Sequence, residues 1–312
     1  MDAQIKLGRV WGIPIGLHPT WFLIFIFVTF SLASGYFPAE YPQLPAWAHW
    51  GLGALTSILF FASVLAHELG HAWVALRSGI AVKSITLFIF GGAAHIASEP
   101  KSAGAEFRIA LAGPAVSLGL AGLFGGLFVL DQAVPFLAAP SIYLARINLM
   151  LALFNMIPGF PLDGGRVLRA LVWRYTGNLL KATRVASISG QVVAFIFMGL
   201  GALSLLQGQV FNGLWLGLIG WFLQNAAASA YAQMRFEQVL RDVTVAQVML
   251  PVGRPWDGPD TRVTPEMDLV SALRRMEELG AAHVVVTSGG WMHGILTRDQ
   301  VIDRLRLGAA GS

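Results

Sequence analysis

The sequence predicts an α-helical polytopic membrane protein, six transmembrane helices with a short β-hairpin region, followed by a small cytoplasmic α/β domain. Three observations lead there. First, 55% of the 312 residues are hydrophobic and only 12% are charged, against about 25% charged in a soluble domain, and the mean hydropathy is +0.64. Second, ten of the seventeen acids lie between residues 237 and 303, so a polar domain follows an apolar one. Third, the basic residues sit beside apolar stretches on alternating loops. Their excess (+4 net) therefore reads as membrane topology rather than nucleic-acid binding.

In chain order, the apolar stretches fall near 19–34, 51–76, 109–130, 142–157, 185–206 and 214–230; the first, fourth and sixth are short for a bilayer. The first seventeen residues lack the apolar core and small-residue cleavage site of a signal peptide. The connections after spans 1, 3 and 5 contain no Lys or Arg. The opposite side carries Lys6, Arg9, Arg77, Lys83, Lys101, Arg108, Arg166, Arg169, Arg174, Lys181, Arg184, Arg235 and Arg241. Both termini are therefore expected in the cytoplasm. Arg146, early in span 4, should snorkel to the outer interface or pair within the bundle. The predicted division is 1–234 for the membrane domain, 235–242 for a linker and 243–312 for the small domain.

Across the six spans Glu68 is the one acid, and His67 and His71 flank it. Ionisable groups at membrane depth are costly and mark function. Positions i and i+4 share a helix face. Two imidazoles so placed can bind one Zn²⁺, with the intervening Glu reaching a metal-held water. No cysteine is present, so a third ligand must be His or carboxylate. At 1.5 Å per residue His71 lies about 9 Å and His67 about 15 Å from Arg77, in the cytoplasmic half of the membrane. Water must reach them through a polar cavity.

Asp163 is the best candidate for the third ligand. It closes the run Asn155-Met-Ile-Pro-Gly-Phe-Pro-Leu-Asp163-Gly-Gly-Arg166, whose prolines and glycines can turn the chain back into the bundle. The other reading of Asp163 is an N-cap of a helix over 166–175. Asn155 could donate to an oxyanion or brace the turn. Residues 82–97 read as a short hairpin with a bulge or turn at Gly91-Gly92. An exposed edge there could take a substrate as an added strand, or the hairpin could only plug the cavity. His95 within it reads as a polar loop residue. His18, His49, Trp21, Trp47 and Trp50 read as ordinary interface residues.

HELGH at 67–71, Phe90-Gly91-Gly92, Ala112-Gly113-Pro114 and NxxPxxPxDGGR at 155–166 together resemble the site-2 protease family of intramembrane zinc metalloproteases. The resemblance runs from about residue 8 to about 225. It implies zinc held by His67, His71 and Asp163, with Glu68 as general base. It also implies a role in regulated intramembrane proteolysis, the cleavage of transmembrane segments of membrane-tethered proteins. Phe90, Gly91 and Gly92 are the expected substrate contacts.

Beyond residue 243 the pattern becomes soluble α/β. A helix is expected at 269–279, strands at 283–287 and 291–296, and a helix at 298–306. TVAQVM at 244–249, VTPEMDLVSALRRMEELGAAHVVVT and GILTRDQVIDRL resemble a single CBS module. Thr297 and Asp299 match its contact to ATP or another adenine nucleotide; either could instead cap the last helix. One such module is small and leaves its pairing face bare, which predicts a homodimer. A CBS-regulated transporter or channel, or an inactive scaffold, is the competing reading. Neither explains a Glu between two histidines at ligand spacing.

Overall fold

A computed structural model describes residues 5–89, 91–130, 133–255 and 261–302. The chain divides into two compact units, Met1–Ala230 and Tyr231–Ser312.

The first unit opens with a hairpin, β1 (Ile5–Val10) and β2 (Ile13–Leu17). Trp11 and Gly12 turn it, both at positive φ (51° and 79°), as a two-residue turn between twisted strands requires. The helices α1 (Thr20–Ser31), α2 (Phe37–Glu40) and α3 (Ala46–Arg77) follow, with a π-helical turn, Leu32–Tyr36, joining the first two. The chain then returns as β3 (Val82–Phe88) and β4 (Gly91–Ile96). β3 pairs parallel with β2 and antiparallel with β4. The expected hairpin at 82–97 is thus half of a four-stranded sheet ordered β1-β2-β3-β4. A parallel pair needs a crossover, and α1 to α3 supply it. Ile13, Ile85, Ile80 and Ala72 share one buried cluster, and Leu17, Leu87 and Val64 another. The sheet therefore lies over the C-terminal half of α3.

Four more helices complete this part of the chain: α4 (Ala103–Leu130), α5 (Pro135–Asn155), α6 (Asp163–Thr176) and α7 (Leu179–Leu206), with α8 (Val210–Arg241) running on into the second unit. Among the described residues five helical stretches are long and apolar enough to cross a membrane: Thr20–Glu40, Ala46–Arg77, Ala103–Leu130, Pro135–Asn155 and Leu179–Leu206. The first and fourth are longer than the sequence reading gave them. The π turn prolongs the first, and α5 starts at Pro135 and runs through Pro140. α8, the expected sixth span, is a 32-residue helix outside those five; Gln224, Asn225 and Ser229 interrupt its apolar run. Small residues bring the helices close. A Cβ on Gly201 of α7 would meet the Gly213 carbonyl of α8 at 2.8 Å, a backbone-to-backbone approach typical of membrane helices.

The second unit starts within α8, and residues 235–241, the expected linker, are helical. Arg, Glu, Gln and Leu are good helix formers, and the charges that end the apolar pattern do not end the helix. A short 3-10 turn (Val245–Gln247) leads to β5 (Leu250–Pro255), α9 (Leu269–Glu278), β6 (His283–Ser288) and β7 (Trp291–Thr297). The sheet order is β5-β7-β6. α9, β6 and β7 stand where the sequence put them; β5, with Pro251 and Pro255, was not expected. It is an edge strand, where proline is tolerated. Val245, Leu269, Met276, Val286 and Leu296 form the core of this unit.

Asp268 caps α9: its Oδ1 accepts from the Ser271 N–H at 3.0 Å, and the Ser271 hydroxyl donates to Oδ2 at 2.6 Å. Partial burial raises the Asp268 pKa, but the hydrogen bonds from the Ser271 side chain and neighbouring amides outweigh it and hold the pKa below 3.8. A folded pKa below the unfolded one stabilises above the unfolded value, and the gain disappears as pH falls through the folded value. Asp268→Ala should cost α9 about 1 kcal/mol at pH 7. Amide hydrogen exchange corrected for intrinsic rates should then rise about fivefold across its first turn, and the difference from wild type should shrink below pH 3.8.

Candidate metal centre

His67 and His71 lie one helical turn apart on α3, each 4% exposed. Their outer nitrogens are both engaged. His67 Nδ1 lies 2.9 Å from Ser117 Oγ on α4, and His71 Nδ1 lies 2.7 Å from the Ile109 carbonyl. A carbonyl can only accept, so His71 carries its proton on Nδ1 and turns the Nε2 lone pair inward. Gly113 makes room for both rings. A Cβ there would fall 2.2 Å from His71 Nε2 and 2.6 Å from His67 Nε2, which no other residue allows.

Asp163 arrives from the opposite side. It is the first residue of α6, and its carboxylate faces the histidines rather than capping the helix. Its Oδ2 lies 3.2 Å from His67 Nε2 and 3.1 Å from His71 Nε2. Backbone packing sets that approach. A Cβ on Gly164 would meet the Met156 carbonyl at 2.3 Å, and one on Gly165 the Gly159 carbonyl carbon at 2.3 Å. The two glycines let the first turn of α6 nest against the preceding loop, and Gly190 of α7 admits Phe160 of that loop in the same way. Further along α6, Arg169 pairs with the fully buried Glu106 of α4 and reaches Glu99 at 3.4 Å, tying α6 to the helix that carries Ser117 and Gly113.

The three inward atoms form a nearly equilateral triangle, since the two Nε2 atoms are 3.2 Å apart. Zinc–nitrogen and zinc–oxygen bonds of about 2.0–2.1 Å in a tetrahedron place ligand atoms about 3.3 Å apart. The donors are thus at the spacing one Zn²⁺ needs, and His67, His71 and Asp163 are the described group that could hold a metal ion.

Beside them opens a cavity of about 270 Å³. Glu68, Asn155 and Arg166 face it, and Gly91 to Ala94 of β4 form one wall. Gly92 abuts Glu68; a Cβ there would lie 2.5 Å from Glu68 Cγ. The structure therefore brings His67, Glu68, His71, Asn155, Asp163, Gly91 and Gly92 to one place. Phe90 lies outside the described residues. His95 stands on β4 but does not line the cavity. Ser117, the Ile109 carbonyl and the fit of Gly113 over the rings escaped sequence reading; the Ala112-Gly113-Pro114 triplet was the signal available. Thr297 and Asp299 belong to the other unit. The Thr297 hydroxyl accepts from the Gln300 N–H at 3.3 Å, while Gln300 Oε1 accepts from the Thr297 N–H at 2.9 Å, a reciprocal helix cap. Asp299 is exposed.

Residues 55–141 and 131–200 match the model of peptidase family M50. Zinc metalloprotease MJ0392 of Methanocaldococcus jannaschii is 33% identical over 276 residues, 88% of this chain and 72% of that protein. The chain belongs to peptidase family M50. Two longer relatives in this site-2 protease family are sll0528 of Synechocystis sp., 43% identical, and Rip3 of Mycobacterium tuberculosis, 40% identical, both named as candidate zinc metalloproteases. Each aligns over 80% of this chain, which spans 66% and 64% of their lengths. Among solved structures, the site-2 protease from Methanocaldococcus jannaschii matches with a TM-score of 0.50 and 33% identity, over 73% of this chain and 94% of that one. M50 membership and the apolar helices together make the chain a multi-pass membrane protein.

Ser117 is the neutral partner that orients His67. Ser117→Ala should weaken zinc binding by about 10–100-fold, measured by competition with a chromogenic chelator, with the helical circular dichroism of the detergent-solubilised protein unchanged.

Proposed function

We propose that this chain is an intramembrane zinc endopeptidase that hydrolyses a peptide bond within a transmembrane segment of a membrane-tethered protein. The observation that carries the reading is the triangle of His67, His71 and Asp163 at zinc spacing, with Glu68 alongside in a cavity walled by a β-strand. Bound there, Zn²⁺ would supply Lewis acidity that polarises the scissile carbonyl and acidifies a water. The residues do the rest. Glu68 accepts the proton of the attacking water and returns it to the departing amine. Asn155 donates its side-chain amide to the oxyanion. β4 ends the sheet, so its outer edge is open to an extended segment. A transmembrane helix must unwind before its backbone can pair there, and Gly91 and Gly92, with no side chains, let it come close to Glu68.

The same reading extends to the rest of the chain. α8 serves as a sixth crossing, which its lipid-compatible outer surface supports: Leu214, Trp215, Leu218 and Trp221 are all exposed. Both termini then lie in the cytoplasm, as the charge-free alternate loops require. The second unit is a CBS module that pairs with a second copy to make a homodimer. An apolar groove with Phe236, Leu240 and Ile302, rimmed by Glu237, Glu277, Arg274 and Arg298, offers both charge signs to such a partner. Asp299, exposed, and the hydroxyl proton of Thr297 are the groups available to the ribose or phosphate of ATP or another adenine nucleotide.

Two experiments test this. Purified wild type and Glu68→Gln should contain equal zinc, and only the wild type should cleave a membrane-tethered test substrate, the variant losing at least about 100-fold in rate. Equal cleavage would remove Glu68 as base, and a zinc-free wild type would remove the metal. Removing residues 243–312 should take the detergent-corrected mass from dimer to monomer; a particle that stays dimeric would count against pairing through the CBS module.

A further inference from the structure

A second cavity of the membrane unit, about 820 Å³, lies between α3 and α4. Its lining is polarised along its length. At one end stand Arg77 and Ser78, closing α3, and Phe107 and Arg108, opening α4. At the other end the two helices close on each other at Gly70, where a Cβ would meet Val116 at 2.8 Å and the Ala112 carbonyl at 3.0 Å. Between the ends the walls are Trp73, Val74 and Leu111. Seven residues of α3 and eight of α4 separate the two ends, about 10–12 Å at helical rise.

The groove thus carries positive charge at its mouth and hydrocarbon along its floor, and among the described residues no acid lines it. Arg77 and Arg108 are exposed, and the described ion pairs of the protein use other arginines, Arg169 and Arg275. Arg77 lies over the Trp73 ring at 4.5 Å, which steadies a guanidinium at the mouth while leaving its N–H groups free. Two guanidiniums suit a phosphate bidentately, and basic pockets between membrane helices suit anionic headgroups. A free phosphate would leave the apolar floor uncovered. A second copy would set arginines against arginines.

We propose that this groove is a binding site for one anionic phospholipid, its phosphate between Arg77 and Arg108 and an acyl chain along Leu111 and Val116 toward Gly70. The site lies on the outer side of the α3–α4 pair whose inner side holds His67 and Ser117 together. It is independent of the proteolytic reading.

The test uses the full chain in a nonionic detergent, with equimolar phosphatidylglycerol and phosphatidylcholine, and native mass spectrometry of the lipids retained. Wild type should keep the anionic lipid about tenfold over the zwitterionic one. Arg77→Gln/Arg108→Gln should bring the ratio near one, and Lys6→Gln/Arg9→Gln should leave it unchanged. Equal retention by wild type overturns the proposal, as does a preference that survives the Arg77/Arg108 exchange. A dimer mass that falls to monomer on that exchange would assign the groove to a second copy instead. A measurement that needs only Trp73→Phe covers failure of the double variant to fold. Brominated phosphatidylglycerol should quench the Trp73 contribution more than brominated phosphatidylcholine, and equal quenching would refute the site.

Discussion

Two ring nitrogens and a carboxylate oxygen converging on one point inside an apolar bundle set the terms for the rest of the membrane unit. His67 Nε2, His71 Nε2 and Asp163 Oδ2 stand 3.1–3.2 Å apart. Such an arrangement needs a proton or a metal ion among the three atoms, because burial removes the water that would otherwise solvate them. It persists only if each group is held from behind. Ser117 and the Ile109 carbonyl do so for the rings, and the nested first turn of α6 does so for the carboxylate. The glycines follow from the same need. Gly113, Gly164 and Gly165 are placed where a single carbon would collide with a histidine ring or with the backbone of the loop before Asp163.

The Arg169–Glu106 pair extends this logic outward. Both groups are buried, and Glu106 Oε2 has no hydrogen-bond partner among the described residues. A buried pair contributes little net stability, yet breaking it leaves a buried charge without compensation. Its use here is geometric: it fixes the rotation of α6, and so of Asp163, against α4, which already fixes His67 and His71. Positions on three helices thus become one rigid relation.

The candidate site was legible in the sequence where it calls for rare residues at fixed spacing. His67, Glu68 and His71 share an apolar span, and Asp163 follows a proline-glycine turn. No local pattern could supply the supports. A serine and a backbone carbonyl are common objects, and only folding brings Ser117 and Ile109 behind the rings. β1 and β2 were hidden for a related reason. They are short, their turn uses Trp11 where Asn or Gly is usual, and β2 finds its partner Ile85 only after three intervening helices. β5 was masked by its own prolines. The apolar pattern marks only the middle of α8, because a helix can pass from lipid to water without breaking.

Two positions of the HELGH segment lie outside the proposed metal site, and the fold has uses for both. Leu69 packs into the cluster beneath the sheet, beside Ala72 and Ile85, and Gly70 lets α4 lie against α3. The five residues therefore answer to several demands at once: the proposed coordination at the histidines, the proposed proton transfer at the glutamate, packing beneath the sheet at Leu69 and interhelical distance at Gly70. For anyone redesigning this centre, the two apparently free letters of the motif set the spacing of the scaffold. Exchanging Gly70 for a larger residue would move the wall that orients the rings while leaving the reactive groups themselves unaltered.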